Sequence, residues 1–111
     1  MLKKWKCPCG YIHDGEEAVA FCPKCGLPAE KFVLMDDDAA NLVERSRHTN
    51  ALHCRLVDQA RKLEATCKAG IEDKLDPGCV KVFERALEQS YEIMKTAMTE
   101  MQGHMNKGKW G

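Results

Sequence analysis

Trp5-Lys6-Cys7-Pro8-Cys9-Gly10-Tyr11 and, with twelve residues between Cys9 and Cys22, Cys22-Pro23-Lys24-Cys25-Gly26-Leu27-Pro28 are the stretches that decide the fold of this 111-residue chain. Each is a close pair of cysteines that runs into a glycine, and tetrahedral thiolate coordination needs two such tight turns facing each other. Cys7, Cys9, Cys22 and Cys25 are therefore the expected ligands of one metal ion. Iron and zinc both suit four thiolates, so the spacing alone leaves the metal open.

The first 35 residues are too few to bury a core that offsets their chain entropy, and a segment of that size ordinarily needs a metal or disulfides to fold. The four cysteines meet that need. The other three, Cys54, Cys67 and Cys79, are scattered and do not form a secreted disulfide framework. The net charge is zero, with 17 basic and 17 acidic side chains spread along the chain, so no positive field is concentrated for phosphate backbones. Nucleic acid is not an expected partner on that ground. Met-Leu-Lys-Lys at the start carries no apolar signal region, and no later run reaches membrane-spanning length. A soluble cytoplasmic protein without a membrane contact is the expectation.

The character of the chain changes at Asp36-Asp37-Asp38. Before it, Gly, Pro, Cys and aromatic residues alternate with short strand-like runs, Tyr11-Ile12-His13 and Lys31-Phe32-Val33-Leu34-Met35, which is small-sheet chemistry. The three aspartates suit a helix N-cap and first turn. Two domains are expected: a metal domain over 1–35 and a helical hairpin over 36–111. Helices are placed at about 38–69 and about 77–105. The loop between them, about 70–76, would open at Gly70 as a C-terminal stop and close at Asp76-Pro77 as a cap and first helical position.

Leu42, Thr49, Leu52, Leu56, Ala60, Leu63 and Cys67 recur at threes and fours and predict the packing face of the first helix. Val80, Phe83, Leu87, Met94, Met98, Met101 and Met105 do the same for the second, on an arc widened by Ala86, Tyr91, Ile93 and Ala97. So broad a face leaves about half its width in water on a lone hairpin. The expectation is a homodimer forming a four-helix bundle, with docking on a different protein as the weaker alternative.

The first segment resembles the rubredoxin-like domain of rubrerythrins. The resemblance rests on Lys4-Trp5-Lys6-Cys7, Cys9-Gly10-Tyr11-Ile12-His13-Asp14-Gly15-Glu16, Cys22-Pro23-Lys24-Cys25-Gly26-Leu27-Pro28 and Phe32, and covers residues 3 to about 35. It implies a rubredoxin-like ribbon, which with the long antiparallel helical hairpin read from the periodicity makes a small α+β arrangement. It also implies one iron held by Cys7, Cys9, Cys22 and Cys25 and cycling between ferric and ferrous states, with zinc as the alternative. Trp5, Tyr11 and Phe32 would form the apolar core beneath the metal, with backbone amides donating to the sulfurs.

Two departures qualify what the resemblance implies. The first pair is normally Cys-x-x-Cys-Gly, whereas Cys7-Pro8-Cys9-Gly10 has a single spacer, a proline without an amide, so one sulfur hydrogen bond is expected to be lost and the reduction potential lowered. Rubrerythrins also carry a di-iron site built with Glu-x-x-His pairs. Here His48 follows Glu44, and His104 follows Glu100, at four residues, so that site is not expected.

A site filled by four thiolates cannot bind substrate; it can exchange electrons or hold a fold. No nucleophile with its base, phosphate-cradling loop or open metal site is evident, so neither an enzyme nor a small-molecule substrate is expected. The sequence-based reading is a one-electron carrier with a redox protein partner, and its alternative is a structural zinc ribbon whose hairpin is an interaction or regulatory module. A haem held by His53 and the methionines is outweighed by adaptable methionine packing. Cys67 and Cys79 read as small buried hydrophobes rather than a redox pair. Cys54 reads as an exposed thiol among Arg47, Asp58 and Arg61.

Overall fold

The computed structural model describes residues 2–111. Three short strands, β1 (Lys4–Lys6), β2 (Ile12–Asp14) and β3 (Val33–Leu34), form an antiparallel sheet in the order β2-β1-β3. Lys4 lies opposite Asp14, Trp5 opposite His13 and also Leu34, and Lys6 opposite Ile12 and Val33. Two long helices follow, α1 (Asp37–Asp73) and α2 (Pro77–Asn106). The expected α+β architecture of a ribbon and a helical hairpin is the one found.

Two compact units are present, and they do not break at residue 35. The first comprises residues 1–47 with the tail Lys107–Gly111, and the second His48–Asn106. The opening turns of α1 thus belong with the ribbon. The sequence signals for both helix starts are realised as caps. The Asp36 carboxylate accepts from the amide of Ala39 at 2.8 Å, and that of Asp76 accepts from the amide of Cys79 at 2.7 Å, in each case satisfying a donor that the first turn leaves without a helical partner.

The expected loop over 70–76 is shortened to three residues, because α1 runs through Gly70 to Asp73. Lys74, at φ 50°, takes the left-handed conformation that ends the helix. Gly70 serves the packing instead. A Cβ on it would lie 2.3 Å from the ring of Phe83, so the missing side chain is what lets that ring rest on α1. Gly70→Ala gains about 1 kcal/mol of helix propensity but forces the ring away, and overpacking costs about 1–3 kcal/mol. The expected net result is a hairpin that gains nothing and is destabilised by up to about 2 kcal/mol in chemical denaturation, the reverse of a free helical glycine.

Within the second unit the helices run antiparallel. Gly70 meets Phe83 near the tip, and Cys54 and Asn50 meet Met101 and His104 further down. The face that α1 uses is Asn50, His53, Val57, Ala60, Glu64, Cys67 and Ile71, at alternating threes and fours, all buried or half-buried. On α2 it is Val80, Phe83, Leu87, Ser90, Met94, Ala97, Met101 and His104, with the same alternation. Both are coiled-coil seams.

The leucine stripe expected to pack is therefore displaced. Ala60 and Cys67 are buried as expected, but Leu52, Leu56 and Leu63 remain 42, 40 and 37% exposed on the flank. Leu42, in the first unit, is exposed as well, and so are Met98 and Met105 of the α2 stripe. The reason is size. Small and polar residues of α1 allow the backbones to approach, and the larger side chains of α2 fill the seam. Among the described residues no helix is long and apolar enough to cross a membrane.

Candidate metal centre

The two cysteine turns are built by backbone hydrogen bonds. In the first, the Gly10 amide donates to the Cys7 carbonyl at 2.9 Å, and the Cys7 amide donates to the Tyr11 carbonyl at 2.8 Å. In the second, Gly26 donates to Cys22 at 2.9 Å and Cys22 to Leu27 at 2.8 Å. Gly10 and Gly26 sit at φ 102° and 81°, a region that side-chain-bearing residues avoid, which is why each pair runs into a glycine.

These turns bring Cys7, Cys9, Cys22 and Cys25 together, with all four Sγ atoms within 4.8 Å of one another. Cys7 Sγ lies 3.5 Å from Cys25 Sγ, and Cys9 Sγ 3.6 Å from Cys22 Sγ. A metal–sulfur bond of about 2.3 Å requires tetrahedral edges of about 3.8 Å, so the four thiols already stand close to the spacing of one coordinated ion. The residues fit a single tetrathiolate-bound iron or zinc. Cys7 and Cys22 are buried, whereas Cys9 and Cys25 are exposed.

The two turns differ in how they treat sulfur. Burial pushes the Cys7 thiol up to about 12, against one backbone donor, Cys9. Burial also acts upward on Cys22, but donation from the backbone of Cys25 and of Lys24 holds it at about 6. The first turn thus supplies one amide fewer, as expected, but Pro8 is not the cause. A proline occupies the same place in the second turn, Pro23, and the donors there lie two and three residues past the cysteine. In the first turn the amide three residues past the cysteine, that of Gly10, is taken by the Cys7 carbonyl. The loss follows from the missing residue.

Beneath the sulfurs, Phe32 is buried and Trp5, Ala18, Val19 and Leu27 are partly buried against Cys7 and Cys22. Trp5 also donates its indole hydrogen to the Gly15 carbonyl at 3.0 Å. Tyr11, expected in this core, is 37% exposed. Its carbonyl, not its ring, is what the short turn holds.

A charge cluster that sequence reasoning missed supports the sheet. Lys4 is fully buried, and its Nζ donates to Asp14 at 3.1 Å and to Glu44 at 2.7 Å. Arg47 grips both oxygens of Asp14, meets Glu44 at 3.1 Å, and donates from Nε to the Gly111 carbonyl at 2.9 Å. The Arg47 guanidinium, with Lys4 beside it, holds the Asp14 carboxyl at about 2. Opposed charges on Lys4 and Asp14 in paired strands are the visible half of the signal. Glu44 and Arg47 join only once α1 is docked on the sheet.

Residues 5–33 match the family model described as the rubrerythrin, rubredoxin-like domain. This segment is a rubredoxin-like domain. Over 38 residues the chain is 50% identical to reverse rubrerythrin-1 of Clostridium acetobutylicum, a stretch that makes up 33% of this chain and 21% of that protein. The chain thus spans about a fifth of the length of this curated relative. No solved structure matches the chain. The rubredoxin-like domain accounts for the four-cysteine metal site, and the match does not extend over most of the hairpin.

The remaining candidate residues lie in the hairpin unit. Cys54 is exposed, as expected, yet its thiol lies 3.8 Å from Met101 Sδ, so it sits at the edge of the seam. Cys67 is buried and Cys79 half-buried, and both are free thiols. His53 faces His104 across the seam, with ring centroids 5.8 Å apart.

Proposed function

We propose that the protein is a one-electron carrier, with an iron held by Cys7, Cys9, Cys22 and Cys25 and a hairpin through which two copies associate. The observation that carries this reading is the closed set of four clustered thiols within a rubredoxin-like domain. Bound there, iron supplies a reversible ferric–ferrous couple. The chain's own part is to fill every coordination position with sulfur, which excludes substrate and water from the metal. Cys7, Cys22 and Phe32 keep the inner side dry, while Cys9 and Cys25 present sulfur to the surface. Exposed Phe21 and Val33 on the same domain offer apolar contact to a redox protein partner.

Protein isolated from its native source tests this reading. The expected preparation contains one iron per chain, is red, and bleaches reversibly with dithionite. A colourless preparation holding one zinc per chain overturns it in favour of a structural ribbon.

The short first turn makes a further expectation measurable. Amide donors to sulfur stabilise the more negative ferrous site, so one donor fewer lowers the reduction potential. Inserting one residue after Pro8 is expected to raise the potential of the iron form in voltammetry, whereas Pro8→Ala leaves it nearly unchanged. An equal response of the two variants would mean that the turn length does not set it.

Self-association is supported by the flank that the seam leaves uncovered. Leu52, Leu56 and Leu63 of α1 lie in the open, and Leu63 lines a shallow groove with Gln89, Glu92, Ile93 and Thr96 of α2. Arg45, Arg55 and Lys62 are exposed on α1, and Glu88 and Glu92 on α2. Lys62 pairs with Asp58 and Glu88 with Arg85 on their own helices, so the pairing rests on the exposed leucines, which a two-fold arrangement would bury. Light scattering at micromolar concentration is expected to give a dimer, and Leu56→Glu with Leu63→Glu a monomer that retains its metal. A wild-type monomer would rule the pairing out.

A further inference from the structure

The charges of the first unit are sorted along β1. At the end far from the sulfurs, the Lys3 carbonyl receives the amide of Gly15 at 2.9 Å, the Lys4 carbonyl receives that of Met35 at 2.9 Å, and the Lys3 side chain pairs with Glu16. Asp14 and Glu44 meet Lys4 at this end, and Asp36, Asp37 and Asp38 follow directly on Met35. At the opposite end Lys6 runs straight into Cys7, and Lys24 stands beside Cys25.

Lys6 and Lys24 are the only charged residues in the two cysteine turns, 5–11 and 21–28. Both are exposed, and neither has an ion-pair partner among the described residues. Glu30, the first acid after the second turn, is followed at once by Lys31, which offsets it. The acids thus gather where they are paired or cap a helix, and the sulfur end is left with unpaired positive charge.

Open apolar surface accompanies these lysines. Val33 lies opposite Lys6 in the ladder and is 67% exposed, and Phe21, beside Cys22, is 67% exposed as well. Apolar and aromatic contact with unpaired charge around it is the make-up of a docking surface, in which the charge steers and orients the partner. The charge of the centre itself enters the balance. Four thiolates leave a ferric ion with a single net negative charge and a ferrous ion with two. The two lysines outweigh the first and only cancel the second.

We propose that Lys6 and Lys24 frame the docking surface for an acidic redox protein that donates the electron, its carboxylates meeting the two lysines beside the exposed Cys9 and Cys25. One electron leaves the partner and converts ferric to ferrous, and no atom or proton is transferred. The end that attracts the partner while oxidised holds no net charge once reduced, which favours release. This donor role rests on the one-electron reading of the sulfur site, whereas the position of the basic patch does not.

Two measurements on the full chain test it. Reduction of the iron-loaded protein by dithionite, which acts through the sulfur dioxide radical anion, is followed by stopped flow at increasing salt. The rate is expected to fall as salt screens the attraction. Lys6→Glu with Lys24→Glu should lower it about 10-fold at low salt and invert the salt dependence. Lys81→Glu with Lys95→Glu, the same change of net charge placed on the hairpin, should leave it nearly unchanged. All four lysines are exposed, so each variant is expected to keep its full metal content.

Hexacyanochromate, an inert paramagnetic anion, is the second probe and needs no iron. With gallium bound, which reproduces the ferric charge, it should broaden the amide resonances of the two cysteine turns in NMR. With zinc, which reproduces the ferrous charge, the broadening should be weaker, and Lys6→Gln with Lys24→Gln should abolish it. The proposal is overturned by broadening that spares these turns, or by a reduction rate equally sensitive to both pairs of glutamate substitutions. A native zinc centre would overturn the electron donation while the probe still marked the lysines, so the two failures are distinguishable.

Discussion

Cys22→Ser is expected to strip the metal from the chain and unfold the sheet while leaving the hairpin helical. The ribbon has little else to hold it. Its buried apolar set is Cys7, Cys22 and Phe32, backed by the partly buried Trp5, Ala18, Val19 and Leu27, and two of its strands are three residues long and one is two. A core of that size does not offset the entropy of ordering its own backbone. Metal binding by such small sites supplies about 10–16 kcal/mol that appears directly as folding free energy, and one hydroxyl in place of a thiolate forfeits much of it. Cys22 is the severe choice because it is buried and receives the backbone hydrogen bonds of the second turn. Metal analysis with circular dichroism checks the result: metal content near zero, helical signal largely kept. Cys54→Ser, outside the cluster, should retain a full complement. A Cys22→Ser chain that kept its metal with an ordered sheet would show that three thiolates suffice.

Asp14→Ala is expected to destabilise the first unit at neutral pH. Asp14 receives Lys4 and both arms of Arg47, and removing it leaves the buried Lys4 ammonium with Glu44 alone. Breaking a fully buried pair costs about 3–5 kcal/mol, and because Glu44 remains to compensate Lys4 the expected loss is nearer about 2–3 kcal/mol. Urea denaturation of the metal-loaded protein measures it. Lys4→Met combined with Asp14→Leu should recover much of the loss, since a matched apolar pair leaves no buried charge unpaired. The pH dependence has a definite sign. The Asp14 carboxyl is lowered from its usual 3.8 to about 2, so its contribution is present above the unfolded value and is lost as the pH falls from about 4 through about 2. The Asp14→Ala protein should lack that acid limb.

What could be read from the sequence was local. The cysteine turns with their glycines, and the caps at Asp36 and Asp76, are each determined within four or five residues, and each is found where expected. What could not be read depends on a distant element. Gly70 carries the ordinary signature of a helix end, yet its role is set by Phe83 of the other helix. Hydrophobicity pointed to Leu52, Leu56 and Leu63 beside Ala60 and Cys67, whereas the seam keeps only the last two of these and otherwise runs through Asn50, His53, Val57, Glu64 and Ile71, a set in which polar residues hide the apolar signal. Lys4 looks like a surface residue of a short strand until Glu44 and Arg47 arrive to cover it.

The unit that contains the metal site is discontinuous in the chain: residues 1–47 are joined by Lys107–Gly111 after the whole hairpin has intervened. Arg47 waits for the carbonyl of Gly111, and Gly111 has no room for a side chain, since a Cβ there would lie 2.3 Å from Ile12. All four cysteines, by contrast, lie within the first 25 residues. During synthesis the thiols are thus complete long before the tail emerges, and the closing contact spans a long loop whose entropic cost grows only slowly with length. The metal ligands of the unit and the contact that closes it are separated, in the order of synthesis, by the whole hairpin.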